Sequence, residues 1–334
     1  MGKIFSLSFF SLLWGFLLIL SRQAVAVENS PLLTTNVYQF PNVGSWIEGI
    51  AERENGDLLI TRTDVPELWS INPLTKTASL VYKFPGATST VGIAKISFGV
   101  FAVGVGTVNL STFMATPGSF SVWIVDLRGQ KPQARLLKAV PEGLSLSGMI
   151  LYTGSTTSPV LLIADTLKGV VWRMDPTTGS YSIALSDSSM LPAQNSAPIG
   201  INGVKVLGNT LYYTSSSQQK FCRVKLNIDG SAAGPFEVVA SGFFQDGFAI
   251  ARDGTAYITT HPQNTVLRVS PQGQTSVFAG NLNSTALAGS TDALLGDYFG
   301  EGVLYVTTNG ALGSPVNGIF TEPAKVVMIS KVDP

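Results

Sequence analysis

Short apolar runs recur along the chain between polar turn residues. They are Leu58-Leu59-Ile60-Thr61, Val100-Phe101-Ala102-Val103, Leu161-Leu162-Ile163-Ala164-Asp165, Leu211-Tyr212-Tyr213-Thr214, Ala256-Tyr257-Ile258-Thr259 and Leu304-Tyr305-Val306-Thr307. Rich in β-branched and aromatic residues, they read as buried strands. Their average spacing of roughly 49 residues fits a repeated four-stranded unit. Most are preceded by an apolar strand and a hairpin dipeptide such as Asn55-Gly56, Gly208-Asn209 or Asp253-Gly254. A third strand follows, as in Trp69-Ser70-Ile71, Val122-Trp123-Ile124-Val125, Val171-Trp172-Arg173-Met174, Arg223-Val224-Lys225-Leu226, Leu267-Arg268-Val269 and Val326-Val327-Met328-Ile329. No long helical period interrupts this order. The pattern predicts an all-β chain, a six-bladed β-propeller with four-stranded blades around a central channel, forming one domain over residues 27–334. A β-sandwich would also give many short strands, but not the repeated order.

In such a blade the start of the innermost strand lies beside the end of the second strand, at one mouth of the channel. Polar residues stand at these starts: Glu48, Ser147, Asn202, Asp246 and Asp292. Each alone is explained by turn chemistry, but their convergence on one mouth predicts a site. Counting outwards from the hairpins places Glu48 near Thr63, Asn202 near Ser215, and Asp246 near His261, the chain's sole histidine. His261 is then expected either to form a carboxylate–imidazole pair with Asp246 or to sit in a loop without chemistry. No G-x-S-x-G elbow accompanies it, which argues against a classical serine hydrolase.

The N-terminus changes the picture of where the protein acts. Lys3 precedes an apolar run over residues 4–20, and Ala24-Val25-Ala26 supplies a small-residue cleavage site. Residues 1–26 read as a secretory signal peptide, and no later segment is long and apolar enough to span a membrane. Its removal leaves 19 basic against 21 acidic residues with no basic run, a surface unsuited to nucleic acid. Cys222, the single cysteine, alternates into an apolar strand face and reads as a core residue. The sequons at Asn109 and Asn283 are expected glycosylation sites of a secreted chain.

Glu48-Gly49-Ile50-Ala51 leading into Asn55-Gly56-Asp57-Leu58, Ile201-Asn202-Gly203-Val204, and Asp246-Gly247-Phe248-Ala249 resemble the regucalcin/gluconolactonase (SMP-30) superfamily over nearly the whole mature chain. That resemblance implies a divalent cation held by an acidic residue, two asparagines and an aspartate, the aspartate also acting as base in lactone hydrolysis. Glu48, Asn202 and Asp246 match this set. Ser147 stands where the second asparagine belongs, and a hydroxyl is a poorer ligand for a hard cation than an amide oxygen.

Trp46-Ile47-Glu48, Ser147-Gly148-Met149, Ile201-Asn202-Gly203 and Thr307-Thr308-Asn309-Gly310, with the signal peptide, are similar to a secreted fungal branch of SMP-30-like proteins. That branch includes hetero-Diels-Alderases of tropolone–sesquiterpenoid pathways. The likeness implies a cofactor-free pericyclase that couples small apolar natural products, a humulene-type alkene and a tropolone ortho-quinone methide. Asn202, Ser215, His261 and Asn309 are then the candidate hydrogen-bond donors. Trp46, Tyr298 and Phe299 are candidate stacking residues, with inter-blade packing as their alternative role. A metal-dependent lactonase or esterase and a non-catalytic ligand-binding propeller are the alternatives.

Overall fold

The computed structural model describes residues 32–334 except 113, 155–157, 331, 333 and 334. The signal-peptide reading of residues 1–26 lies outside these. The described residues form six four-stranded antiparallel sheets and a two-stranded hairpin, Val108–Asn109 with Met114–Ala115. Among them the only helix is a single turn, Ser188–Met190, and none is long and apolar enough to cross a membrane.

Blade 1 runs through Ile47–Glu52, Leu58–Arg62, Glu67–Asn72 and Thr77–Lys83. Blade 2 follows with Ser89–Ser97, Val100–Gly106, Ser121–Asp126 and Gln133–Ala139, and blade 3 with Leu146–Tyr152, Val160–Asp165, Val170–Met174 and Tyr181–Ser186. Blade 4 comprises Ile201–Leu207, Thr210–Ser215, Lys220–Lys225 and Glu237–Ser241; blade 5 comprises Gln245–Ile250, Ala256–Thr260, Thr265–Val269 and Thr275–Gly280. Blade 6 takes Ser290–Tyr298, Glu301–Thr308 and Lys325–Ser330 from the end of the chain. Its outer strand, Thr34–Gln39, comes from the beginning, pairing Thr34 with Ile329 and Gln39 with Lys325. Each predicted β-rich run is the second strand of a blade. The closing strand was not read from sequence, because one strand displaced from its repeat carries no periodic signal.

The core is divided by seam. One apolar cluster joins Val91 and Val122 of blade 2 to Leu146 and Trp172 of blade 3, another joins Tyr305 of blade 6 to Ile47 of blade 1, and each remaining seam has its own. Cys222 is buried in the seam between blades 3 and 4, where burial pushes its thiol up to about 11, so it behaves as a packing residue.

Candidate functional site

Every first strand carries the same irregularity. Ile47 pairs with Arg62 and Ile50 with Ile60, so Glu48 and Gly49 together face the single residue Thr61. The same two-against-one bulge recurs at Val91-Gly92, Ser147-Gly148, Asn202-Gly203, Asp246-Gly247 and Thr291-Asp292. A β-bulge re-aims side chains and raises local twist. Here six aligned bulges form a ring around the axis from Glu48, Val91, Ser147, Asn202, Asp246 and Thr291.

The glycines make the ring possible. A Cβ on Gly92 would lie 1.9 Å from the Ser147 carbonyl oxygen, and one on Gly148 would lie 2.3 Å from that of Asn202. Each first strand presses against the next at this level, leaving no space for a side chain. Blade 6 departs from the rule. Asp292 occupies the glycine position, and Gly247 leaves the space that its carboxylate fills, 2.2 Å from where a Cβ would be. Asp292 therefore does not belong with the mouth residues, as sequence placed it. Thr291 has that position, and Asp292 lies one step further into the channel.

Five ring residues, Glu48, Val91, Ser147, Asn202 and Asp246, also form the floor of a mouth cavity with about 590 Å³ of empty space open to solvent. Its walls are largely apolar. Trp46 comes from the loop entering blade 1, Val108 and Leu110 from the long connection 107–120, Leu167 from blade 3, and Ile199 from the connection 187–200. No lysine or arginine lines it.

The floor is held by hydrogen bonds. The Trp46 indole donates to Glu48 Oε2 at 2.7 Å, and the Asn202 amide donates to Asp246 Oδ1 at 2.7 Å and to Ser216 Oγ at 3.3 Å. Burial pushes the Glu48 carboxyl up to about 7, opposed by the Trp46 bond and assisted by repulsion from Asp292. Burial and the negative charges of Glu48 and Asp292 raise Asp246 well above the carboxylate range, against the Asn202 bond. Asp292 is also raised by burial, with Lys205 Nζ at 3.8 Å opposing the shift.

The bulges shift all three predicted cross-strand pairs: Thr63 lines the cavity with Glu48, but its N–H bonds the Trp46 carbonyl and Thr61 is the residue opposite Glu48. Ser215 faces Ile201, is fully buried, and has no partner for its hydroxyl; the hydroxyl that meets Asn202 belongs to Ser216. The Asp246–His261 pair does not form. Thr260 faces Gln245, and His261 Nε2 is buried without a partner. Asn309 is likewise outside the cavity, its side-chain oxygen packed against Gly289. Tyr298 and Phe299 are at the far end of blade 6's first strand, beside the hairpin to Glu301, so they lie at the opposite face from the mouth. Their rings contact each other at 4.8 Å, and Phe299 is 80% exposed.

Sequence reading also missed Val91, whose apolar side chain gives no polar signal, and the walls Val108, Leu110, Leu167 and Ile199. One signal would have found the ring: a residue followed by glycine and an apolar residue recurs at the same point of five repeats, Glu48-Gly49-Ile50, Val91-Gly92-Ile93, Ser147-Gly148-Met149, Asn202-Gly203-Val204 and Asp246-Gly247-Phe248.

His261 is a stability element with a defined pH signature. Burial lowers its imidazole to about 4 from an ordinary value near 6.5, so the unfolded chain binds the proton first as pH falls. Native stability should therefore drop by about 3 kcal/mol between pH 6.5 and pH 4 from this residue alone, and be unaffected above that window. In urea titrations the gap between wild type and His261→Gln should change over that window in favour of the variant. A gap independent of pH would contradict the account.

A resident divalent cation, as the wider resemblance implies, needs six or more oxygen ligands if it is calcium. At this floor one carboxylate oxygen of Glu48 and one of Asp246 already accept N–H donors, and the fourth expected ligand is the Ser147 hydroxyl. Among the described residues no group of three His, Cys, Asp or Glu side chains is arranged to hold a metal. The second carboxylate oxygens of Glu48 and Asp246, the Asn202 amide oxygen and the Ser147 hydroxyl fall short of that number, and water would have to complete the shell.

By shape the molecule is a six-bladed propeller. It superimposes on a calcium-binding regucalcin of Agrobacterium tumefaciens with a TM-score of 0.63 at 15% identity, covering 91% of this chain and 96% of that one. A gluconolactonase of Xanthomonas campestris gives 0.60 at 12% identity, covering 90% of each. No protein-family model matches the chain. In sequence it is similar to a protein of a Phoma species named as a hetero-Diels-Alderase, 25% identical over 312 residues, 84% of this chain and 87% of the relative. A second, from Sarocladium schorii and named likewise, is 26% identical over 324 residues, 83% of this chain and 78% of the relative.

Proposed function

We propose that the protein is a pericyclase of secreted natural-product chemistry, joining a humulene-type alkene to a tropolone ortho-quinone methide by a hetero-Diels–Alder cycloaddition in the mouth cavity. One observation carries this reading: an apolar-walled cavity stands on a polar floor that has hydrogen-bonding groups but no nucleophile–base pair. The two relatives named as hetero-Diels-Alderases support it over most of the chain.

The reaction needs two apolar partners held at near-attack distance. Orientation of this kind is worth up to about 7 kcal/mol or more of barrier. Trp46, Val108, Leu110 and Ile199 supply the walls that exclude water and fix the partners' faces. Ser147 supplies one donor for the quinone-methide oxygen, and the Asn202 N–H on Ser216 Oγ, at 3.3 Å the longer of that amide's two bonds, turns to it as the second; both bonds strengthen as negative charge grows there. Ser147 Oγ is 3.4 Å from Ser145 Oγ, and Asp246 fixes the direction of the Asn202 amide. Asn109, at the end of its short hairpin strand, and Asn283, in a turn, are both exposed, which suits glycosylation of a secreted chain.

A lactonase of the gluconolactonase kind is the second reading, favoured by the placing of Glu48, Asn202 and Asp246 on one ring. Chelation separates the two. The cycloaddition should proceed at an unchanged rate after exhaustive EDTA treatment. Loss of turnover that one equivalent of calcium or zinc restores would instead favour metal-assisted hydrolysis.

A further inference from the structure

The residue opposite each bulge is a buried threonine in four of the six blades: Thr61, Thr214, Thr259 and Thr307. These threonines do more than fill the seam. Thr214 Oγ1 accepts the N–H of Gly203 at 2.9 Å, the residue after Asn202, and donates to the backbone carbonyl of Asp246 in the next blade at 2.6 Å. Thr61 repeats this between Gly49 and the Val91 carbonyl, whereas Thr307 accepts the Asp292 N–H and has its one proton within reach of Thr291 Oγ1 at 2.9 Å and the carbonyls of Asp292 at 3.2 Å and Glu48 at 3.3 Å. The single Thr259 hydroxyl proton is shared between the carbonyls of Gly247 at 2.8 Å and Thr291 at 2.9 Å.

Blades 2 and 3 have Gly104 and Ala164 at this position, and a Cβ on Gly104 would lie 2.7 Å from the Leu146 carbonyl oxygen. In blade 2 the next blade approaches too closely for a side chain. Of the two floor carboxylates, Asp246 thus belongs to a bulge whose carbonyl is held by a threonine of the preceding blade, Thr214.

We infer that Thr214 is a positioning residue of the mouth cavity: its hydroxyl locks the bulges of blades 4 and 5 together and so sets the 2.7 Å contact that aims the Asn202 amide. A bulge has lost its ladder partner, so its peptide groups need another acceptor or donor, and Thr214 supplies one to each side of the seam. The inference uses the proposed cycloaddition only for its kinetic readout.

The test compares Thr214→Val, which keeps shape and removes the hydroxyl, with Thr214→Ser, which keeps the hydroxyl. Val224→Ala serves as a destabilising control deep in the same blade, and Thr214→Ala replaces the valine variant if that one does not fold. In the crystal structure of the hydroxyl-free variant the Asn202–Asp246 contact should be lost, and it should persist in Thr214→Ser. With the reaction partners, the hydroxyl-free variant should lose about 10-fold or more in kcat with KM little changed, and more product isomers should appear. Thr214→Ser should restore kcat, whereas Val224→Ala should lower Tm and leave kcat intact. An unchanged contact, or a kcat loss no greater than that of a control with equal loss of Tm, would overturn the inference. Wild type without turnover, combined with loss of the contact in the variant, would sink the reaction and leave the positioning role standing.

Discussion

Replacing Asp165 with alanine is expected to cost about 4 kcal/mol of stability, enough to unfold a marginal domain, because it leaves several buried donors unmatched at once. Asp165 is fully buried at the end of blade 3's second strand. Its carboxylate accepts the backbone N–H groups of Leu144 and Ser145 at 3.0 Å, that of Lys168 at 3.2 Å, and the Trp172 indole N–H at 3.1 Å. These donors come from the loop entering blade 3, the connection after the second strand, and the third strand. Ser145, Thr166 and Leu167, on the same loops, line the mouth cavity. Asp165→Asn keeps the acceptor for some donors but turns an N–H₂ toward others, so it should fall between wild type and alanine. Denaturant unfolding of the three proteins checks the order, and an alanine variant within 1 kcal/mol of wild type would contradict it.

Asp292→Ala should be nearly as costly, by about 3–5 kcal/mol, for a related reason. The Asp292 carboxylate accepts the Ala293 N–H at 2.8 Å, and Lys205 Nζ at 3.8 Å together with the backbone N–H groups of Ile50 in blade 1 and Phe248 in blade 5 favours its charged form. Across the bulges it thus joins the last blade to both neighbours, one of which is the first blade. Asp292→Gly would restore the residue type of the other five blades and still remove the charge that Lys205 and those N–H groups face. It should therefore be as destabilised as alanine in thermal unfolding. A glycine variant as stable as wild type would show that the position only needs space.

The repeat was legible because each blade must bury the same apolar strand, and the runs Leu58-Leu59-Ile60-Thr61 through Leu304-Tyr305-Val306-Thr307 all fell on second strands. Glu48, Ser147, Asn202 and Asp246 were legible as a convergent set because a polar residue heads an otherwise apolar strand at the same point of each repeat. The bulge was not. It inserts a residue into the register, so symmetric counting from Asp253-Gly254 brought Asp246 to His261 when the ladder pairs Gln245 with Thr260. Tyr298 and Phe299 were misassigned because strand length was unread: nine residues separate the mouth from the hairpin in blade 6. In sequence Asp165 only ended an apolar run and Asp292 only headed one, and tertiary closure alone reveals how many groups converge on them.

The central claim, that the mouth cavity catalyses and steers a cycloaddition, is tested most directly by product stereochemistry. Quinone methides react without catalysis, so the ratio of isomers says more than the amount formed. The measurement generates a tropolone ortho-quinone methide beside a humulene-type alkene, with native protein, heat-denatured protein and the variants Ser147→Ala and Asn202→Ala. Native protein should form one isomer in excess and faster than background, and loss of a floor donor should cut the enzymatic rate by about 100-fold. The same rate and isomer ratio in native and heat-denatured samples would contradict the account.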